Sequence, residues 1–280
     1  MEPKPYLVVK KECMATLCQA IGLEGSGVVS IVGAGGKTSL MFGLAHELSE
    51  SGQSVLTTTT TKIMLPNKAQ SRHLILTGSL PVFTDNAKKF LKKDRHVSAA
   101  SGLRPATKDK LSGFSAGFID EIVQAGLFQW IIVEADGADR KPLKVPAKHE
   151  PVIPGSSNWV IGVVGLKAIG KPLHPDWVFR HKAYASITGL SQGRPVTLDS
   201  VVQAVIHPAG IFKGSPPQAH KILFLNETGN PDLSETGKSL IKKLRKSPLD
   251  QPISRVVMGS PLENRAVAKR LDLSPGSNLS

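Results

Sequence analysis

The chain has little cysteine, few aromatic residues and no long apolar run. Only two cysteines occur in 280 residues, Cys13 and Cys18. That number excludes a disulfide framework and points to the cytoplasm. The spacing of the pair fits neither a Cys-x-x-Cys redox couple nor a metal pair, so both read as packing residues. No apolar stretch approaches the ~20 residues that a membrane-spanning helix requires. The opening segment MEPKPYLVVKKE has no uninterrupted apolar stretch of signal-peptide length. Acidic residues are also short: 22 Asp and Glu stand against 35 Lys and Arg, a net charge of +13. Such a charge suits nucleic acid, an anionic surface or acidic small molecules. Aromatic content of 5% leaves few platforms for base stacking, which argues against nucleic acid as the main partner. The histidines show no metal-ligand spacing, and His149-Glu150 lacks the second histidine of a zinc-protease helix.

What is present is sharper. Val28 to Ser39 reads VVSIVGAGGKTS and is followed by the helical pattern LMFGLAHELSE. A β-branched run, a glycine turn, Lys-Thr and a helix form a polyphosphate cradle. Glycines admit backbone N–H groups to phosphate oxygens, and the helix N-terminus adds partial positive charge. The expected binding residues are Gly33, Ala34, Gly35, Gly36, Lys37, Thr38 and Ser39. Lys37 is assigned the terminal phosphates and Thr38 a Mg²⁺ ion. The first glycine of the standard eight-residue motif is replaced by Ile31, so this is a short form. It resembles the loop of the Mur ligases.

Continuous apolar strands alternate with helices, which predicts an α/β fold of three layers. The sheet is expected to be mostly parallel, with helices on both faces, as in P-loop NTPases. The strands are read at 28–32, 54–58, 73–77, 96–99, 129–133, 159–164, 221–225 and 255–258. Helices are read at about 11–22, from the glycine loop to about 51, at 85–93, 117–125 and 233–246. One domain over 1–280 is expected, with an elaborated second half at about 156–280.

Strand 129–133 leads into Glu134-Ala135-Asp136-Gly137. Ligands of doubly wound sheets bind at the carboxyl ends of strands. Glu134 and Asp136 are therefore candidates for the metal or for orienting the attacking group, without a ranking between them. Thr59, Thr60, Thr61 and Lys62 leave strand 54–58 at the ligand-facing edge and are substrate candidates. The loop from Arg140 to Pro151 carries Lys141, Lys144 and Lys148, which are read as a grip for an acidic substrate. Asn226 ends a later strand where guanine-specific proteins keep Asn-Lys-x-Asp. Gly229 stands in place of the Asp, so Asn226 is at most a base contact and ATP is favoured over GTP. Gly113 to Gly117 matches a Gly-x-Ser-x-Gly elbow, but a polar, basic segment precedes it rather than a buried strand.

VGAGGKTSLMFGLAHEL, VLTTTTTKI, VEADGADRKPLKVPAKHEPVIP and VIGVVGLKAIGKPL together resemble the YqeC family, the selenium-dependent hydroxylase accessory proteins. HPAGIFKGSPPQA resembles it too, and the likeness spans roughly residues 25–259. One departure is Lys167, where an acidic residue is common. The resemblance implies a nucleotide-binding protein, using ATP (or GTP) and Mg²⁺, that assists maturation of a molybdenum hydroxylase. Its implied partners are that hydroxylase or its maturation proteins, and an anionic pterin cofactor would suit the basic loop. An ATP-dependent ligase similar to the Mur enzymes, and a nucleotide-gated chaperone without turnover, are the alternatives.

Overall fold

The computed structural model describes residues 16–104, 107–227, 233–247, 253–261 and 269–272. The chain begins there with α1 (Leu17–Ile21), β1 (Gly27–Ala34), α2 (Lys37–Glu50) and β2 (Val55–Thr59). Next come β3 (Lys62–Met64), β4 (Leu74–Leu76), α3 (Leu80–Leu91), β5 (His96–Ala100), β6 (Gly102–Arg104) and β7 (Thr107–Ser112). α4 (Ala116–Gln124), β8 (Trp130–Glu134), β9 (Leu143–Lys144), β10 (Ser157–Gly165) and β11 (Val178–Phe179) follow. α5 (His181–Thr188), α6 (Leu198–Ile206), β12 (His220–Asn226), α7 (Leu233–Leu244), β13 (Arg255–Gly259) and β14 (Lys269–Asp272) complete it.

The main sheet has the order β14-β13-β12-β10-β1-β8-β2-β5-β4. Every neighbouring pair is parallel except β13 with β14. The period of two along β1 sorts its side chains. Val29 and Ile31 pack with Leu40 and Leu44 of α2 and with α1. Val28 faces the cluster of α3 and α4, and Val32 that of α5, α6 and α7. The sheet therefore carries helices on both faces, the three-layer α/β fold expected. Strands buried on both faces explain why β8 and β10 read as near-continuous apolar runs. No described helix is long and apolar enough to cross a membrane.

The chain leaves β1 towards β2, returns to β8 beside β1, and crosses to β10 on the other side. That reversal puts a crevice at the carboxyl end of β1, where ligands of such sheets bind.

Several expectations need correction. Among the described residues the first helix starts at Leu17. Thr16 is extended (φ −66°, ψ 166°) and closes a capping box with Gln19; residues 11–15 lie outside the described set. α3 begins at Leu80 rather than Asp85, with Pro81 in its first turn, where proline's missing N–H costs nothing. β3, β7 and β6 form a separate antiparallel sheet that the sequence reading missed. β7 thus supplies a strand before Gly113-Phe114-Ser115. It belongs to this small sheet, however, and Ser115 caps α4 by accepting the Phe118 N–H at 3.1 Å. Cys18 packs against the α1–α2 core, and burial raises its thiol pKa, which keeps it unreactive. Cys13 lies outside the described residues.

β5, one strand in from the edge, holds a pH-sensitive group. His96 is buried, bonds Thr57 Oγ1 through Nε2 at 2.9 Å, and is pushed by burial from 6.5 down to about 4. Between those values the unfolded chain binds the proton and the folded chain does not, so stability falls as pH drops. The loss attributable to His96 should reach about 3 kcal/mol by pH 4. Urea melts at pH 7 and pH 4.5 should show a smaller acid loss for His96→Asn than for the wild type. An identical acid loss would remove His96 from the account.

Candidate functional site

β1 ends at Ala34 and α2 starts at Lys37, so only Gly35 and Gly36 lie between them. Gly33, Gly35 and Gly36 have φ of 88°, 90° and 123°, a region that side chains other than glycine rarely adopt. Space excludes a side chain as well. A Cβ on Gly33 would strike the Val163 carbonyl, and one on Gly35 would lie 2.6 Å from both Pro142 O and Gly165 N. Gly36 caps α2 with no side chain of its own, leaving the amides of the first helical turn to a ligand.

Lys37 is folded inward and only 4% exposed. Its Nζ donates to Gly33 O at 2.8 Å and lies 3.2 Å from Asp136 Oδ1 and 3.6 Å from Glu134 Oε1. Burial alone would lower the Lys37 pKa, but Asp136 and Glu134 outweigh it and hold the pKa above the usual lysine value. Thr38 Oγ1 donates to Glu134 Oε2 at 2.7 Å. Burial raises the Glu134 pKa despite Lys37 and Thr38, so Glu134 takes up a proton more readily than a free carboxylate. Glu134 closes β8, which pairs directly with β1, and Asp136 follows it. The ladder continues one step, with the Ala135 N–H donating to Ile31 O at 2.9 Å. Asp136 Oδ2 accepts the Gly33 N–H at 3.1 Å. Asp136 Oδ1 is buried with no aligned hydrogen-bond donor. Lys37, Thr38, Glu134 and Asp136 are thus brought together as expected.

The other candidates divide. Ser39 lines a cleft of about 190 Å³ beside the loop. Asn226 Nδ2 donates to Gly35 O at 2.6 Å, so its amide shapes the loop instead of waiting for a base. Thr59 Oγ1 donates to Glu134 O at 2.7 Å and Thr60 Oγ1 to Val152 O at 2.7 Å. These two hydroxyls are tied to the scaffold, against the expected substrate role. Thr61 donates its N–H to Thr59 Oγ1, and Lys62 is exposed at the start of β3.

Lys144 is the largest correction. Its side chain is fully buried, 3.0 Å from Asp136 Oδ2 and 2.9 Å from Glu150 Oε2, and it donates to Gly137 O at 2.6 Å. It cannot grip a substrate, because three protein acceptors already hold it. Arg180 completes the row with a two-point contact to Glu150, Nη2–Oε1 at 2.8 Å and Nε–Oε2 at 3.2 Å. Burial would raise the Glu150 carboxyl, but Arg180 and Lys144 bring it down to about 2. A chain of alternating charges therefore runs Lys37–Asp136–Lys144–Glu150–Arg180. Lys148 is exposed and Lys141 half-buried. The sequence signal missed was β9 itself, a two-residue strand paired with β11 that carries Lys144 inward.

A glycine loop between a central strand and a helix, with Lys-Thr at the helix start and carboxylates at the end of the adjacent strand, defines a P-loop-type α/β protein. The chain belongs to the YqeC family. The family model "YqeC protein" matches residues 29–182. The uncharacterized protein YqeC of Escherichia coli (strain K12) is 35% identical over 249 residues, 87% of this chain and 91% of that one. Chloroplast FtsY from Physcomitrella patens is a distant structural neighbour at 15% identity and a TM-score of 0.43, covering 95% of this chain and 68% of that one. Family and loop architecture together support nucleotide binding.

Proposed function

We propose that this protein binds a Mg²⁺–nucleotide, ATP or GTP, on the loop from Gly33 to Ser39 and acts as an accessory protein in maturation of a selenium-dependent molybdenum hydroxylase. The observation that carries the nucleotide part is the convergence of Lys37, Thr38, Glu134 and Asp136 on one glycine loop. The maturation part rests on the family resemblance. A cytoplasmic setting and a partner among the hydroxylase's own maturation proteins belong to the same reading.

The donor set fits Mg²⁺: one hydroxyl and two carboxylates are all hard oxygen ligands, and Asp136 Oδ1 is buried with the Lys37 ammonium 3.2 Å away but no aligned hydrogen-bond donor. Thr38, Glu134 and Asp136 would hold the ion, which when bound neutralises phosphate charge. The chain's own residues do the rest. The amides that open α2 receive phosphate oxygens, and Lys37 exchanges Asp136 and Glu134 for the terminal phosphates. Glu134, whose Oε2 accepts from Thr38, would orient an attacking water or hydroxyl where it does not hold the ion. A pterin phosphate would meet Lys141 and Lys148, Lys144 being committed inside the protein.

Calorimetric titration of ATP and GTP, with and without Mg²⁺, tests the reading on wild type and Thr38→Val. The wild type should bind ATP, and the variant should lose about tenfold in the presence of Mg²⁺ and little in its absence. A wild type that binds neither nucleotide would refute the proposal. Phosphate release during the same titration would separate an NTPase from a chaperone without turnover.

A further inference from the structure

The loop and Ser39 line the cleft of about 190 Å³ together with Arg140, Lys167 and Asn226. Arg140 comes from the turn after β8 and Lys167 from the single 3₁₀ turn after β10, so two separate elements deliver cations to one opening. Both side chains are exposed, and neither has an ion-pair or hydrogen-bond partner among the described residues. Their turns are held in place. Asp139 and Arg140 are successive non-glycine residues at φ 46° and 57°, a costly conformation that tends to persist at functional loops. The Lys141 N–H closes that turn on Ala138 O at 2.9 Å. Leu166, before Lys167, is fully buried in the core.

The cleft is lined by no carboxylate and no aromatic ring among the described residues. It is also smaller than the roughly 300 Å³ at which pockets for whole small molecules begin. Two cations, a helix N-terminus and glycine amides around such a space suit a chain of phosphates rather than a nucleobase. Asn226, the one amide side chain in the lining, already donates to Gly35 O.

We propose that Arg140 and Lys167 clamp the phosphate chain across the loop, so that this site selects its ligand by number of phosphates and not by base. The proposal rests on the nucleotide reading above and deepens it.

The test titrates ATP, GTP, ADP, AMP and inorganic triphosphate, with Mg²⁺ and at one salt concentration, into wild type, Arg140→Asn, Lys167→Gln and the double variant. Asn is chosen at position 140 because it tolerates the left-handed backbone. Each single change should weaken ATP, GTP and inorganic triphosphate about tenfold, and the double change about a hundredfold. AMP should bind weakly and equally to all four proteins, and thermal melts should coincide because both residues are exposed. Wild-type affinity for ATP in the double variant would overturn the clamp and leave the nucleotide reading standing. Loss by the same factor for AMP, or a wild type preferring ATP strongly over GTP, would overturn it too. A wild type that binds triphosphate but no nucleotide, with the variants losing it, would uphold the clamp and refute the nucleotide reading. No binding of any probe would refute both.

Discussion

Lys37→Ala should unfold more easily as well as lose its ligand. Lys37 lies in the protein interior between Asp136 and Glu134. Removing one member of a buried charged group while its partners stay costs about 3–5 kcal/mol. Chemical denaturation at pH 7 should show that loss, and calorimetry should show ATP binding weakened by at least about a hundredfold. The pH dependence gives the cause. Burial already holds the Glu134 pKa above its unfolded value, and without Lys37 less opposes that rise, so the folded variant binds more protons than the unfolded chain as pH falls towards about 4.5. The gap between variant and wild type should therefore narrow on acidification from neutral pH. A gap independent of pH, or a variant as stable as the wild type at pH 7, would contradict the buried ion cluster.

Lys144→Ala should be nearly as damaging, while Lys148→Ala, a few residues along the same loop, should change stability by no more than about 0.5 kcal/mol. Lys144 is enclosed and supports both Asp136 and Glu150, so its loss should cost about 3–5 kcal/mol. Glu150 in the wild type contributes stability above its unfolded pKa of 4.5 and loses it as pH falls towards about 2. With only Arg180 left as its cation, the folded Glu150 carboxyl sits higher, so this contribution is smaller and its loss is complete at a higher pH, and the gap between variant and wild type should narrow on acidification. Thermal melts between pH 3 and pH 7 would show it. A Lys144 variant that melts like the wild type, with altered ligand affinity alone, would return this lysine to the substrate role.

The sheet was legible because strands buried on both faces are written as unbroken Val and Ile runs, as in β1, β8, β10 and β12. The phosphate loop was legible because φ near 90° at Gly33 and Gly35 admits almost only glycine. The β3–β7–β6 sheet was hidden because its strands are short and half exposed, so Lys108 and Lys110 made β7 look like loop. The roles of Thr59, Thr60 and Lys144 were hidden for another reason. A hydroxyl or ammonium at a strand end reads alike whether it faces a ligand or a neighbouring carbonyl. Only the crossing of β2, β8 and β9 settles which acceptor lies nearest. Arg140 and Lys167 lie in two separate sequence motifs and line one cleft only because β8 and β10 flank β1.

The bond from Asn226 to the Gly35 carbonyl joins residues 191 positions apart. During synthesis the glycine loop leaves the ribosome long before the strand that braces it exists. Pairing across such a sequence separation is slow, since the closure entropy precedes any gain from the contact. The binding loop should therefore reach its final shape among the last events of folding, after β12 has joined β10. A nascent or truncated chain ending before β12 would carry every residue of the glycine motif and still lack the finished cradle.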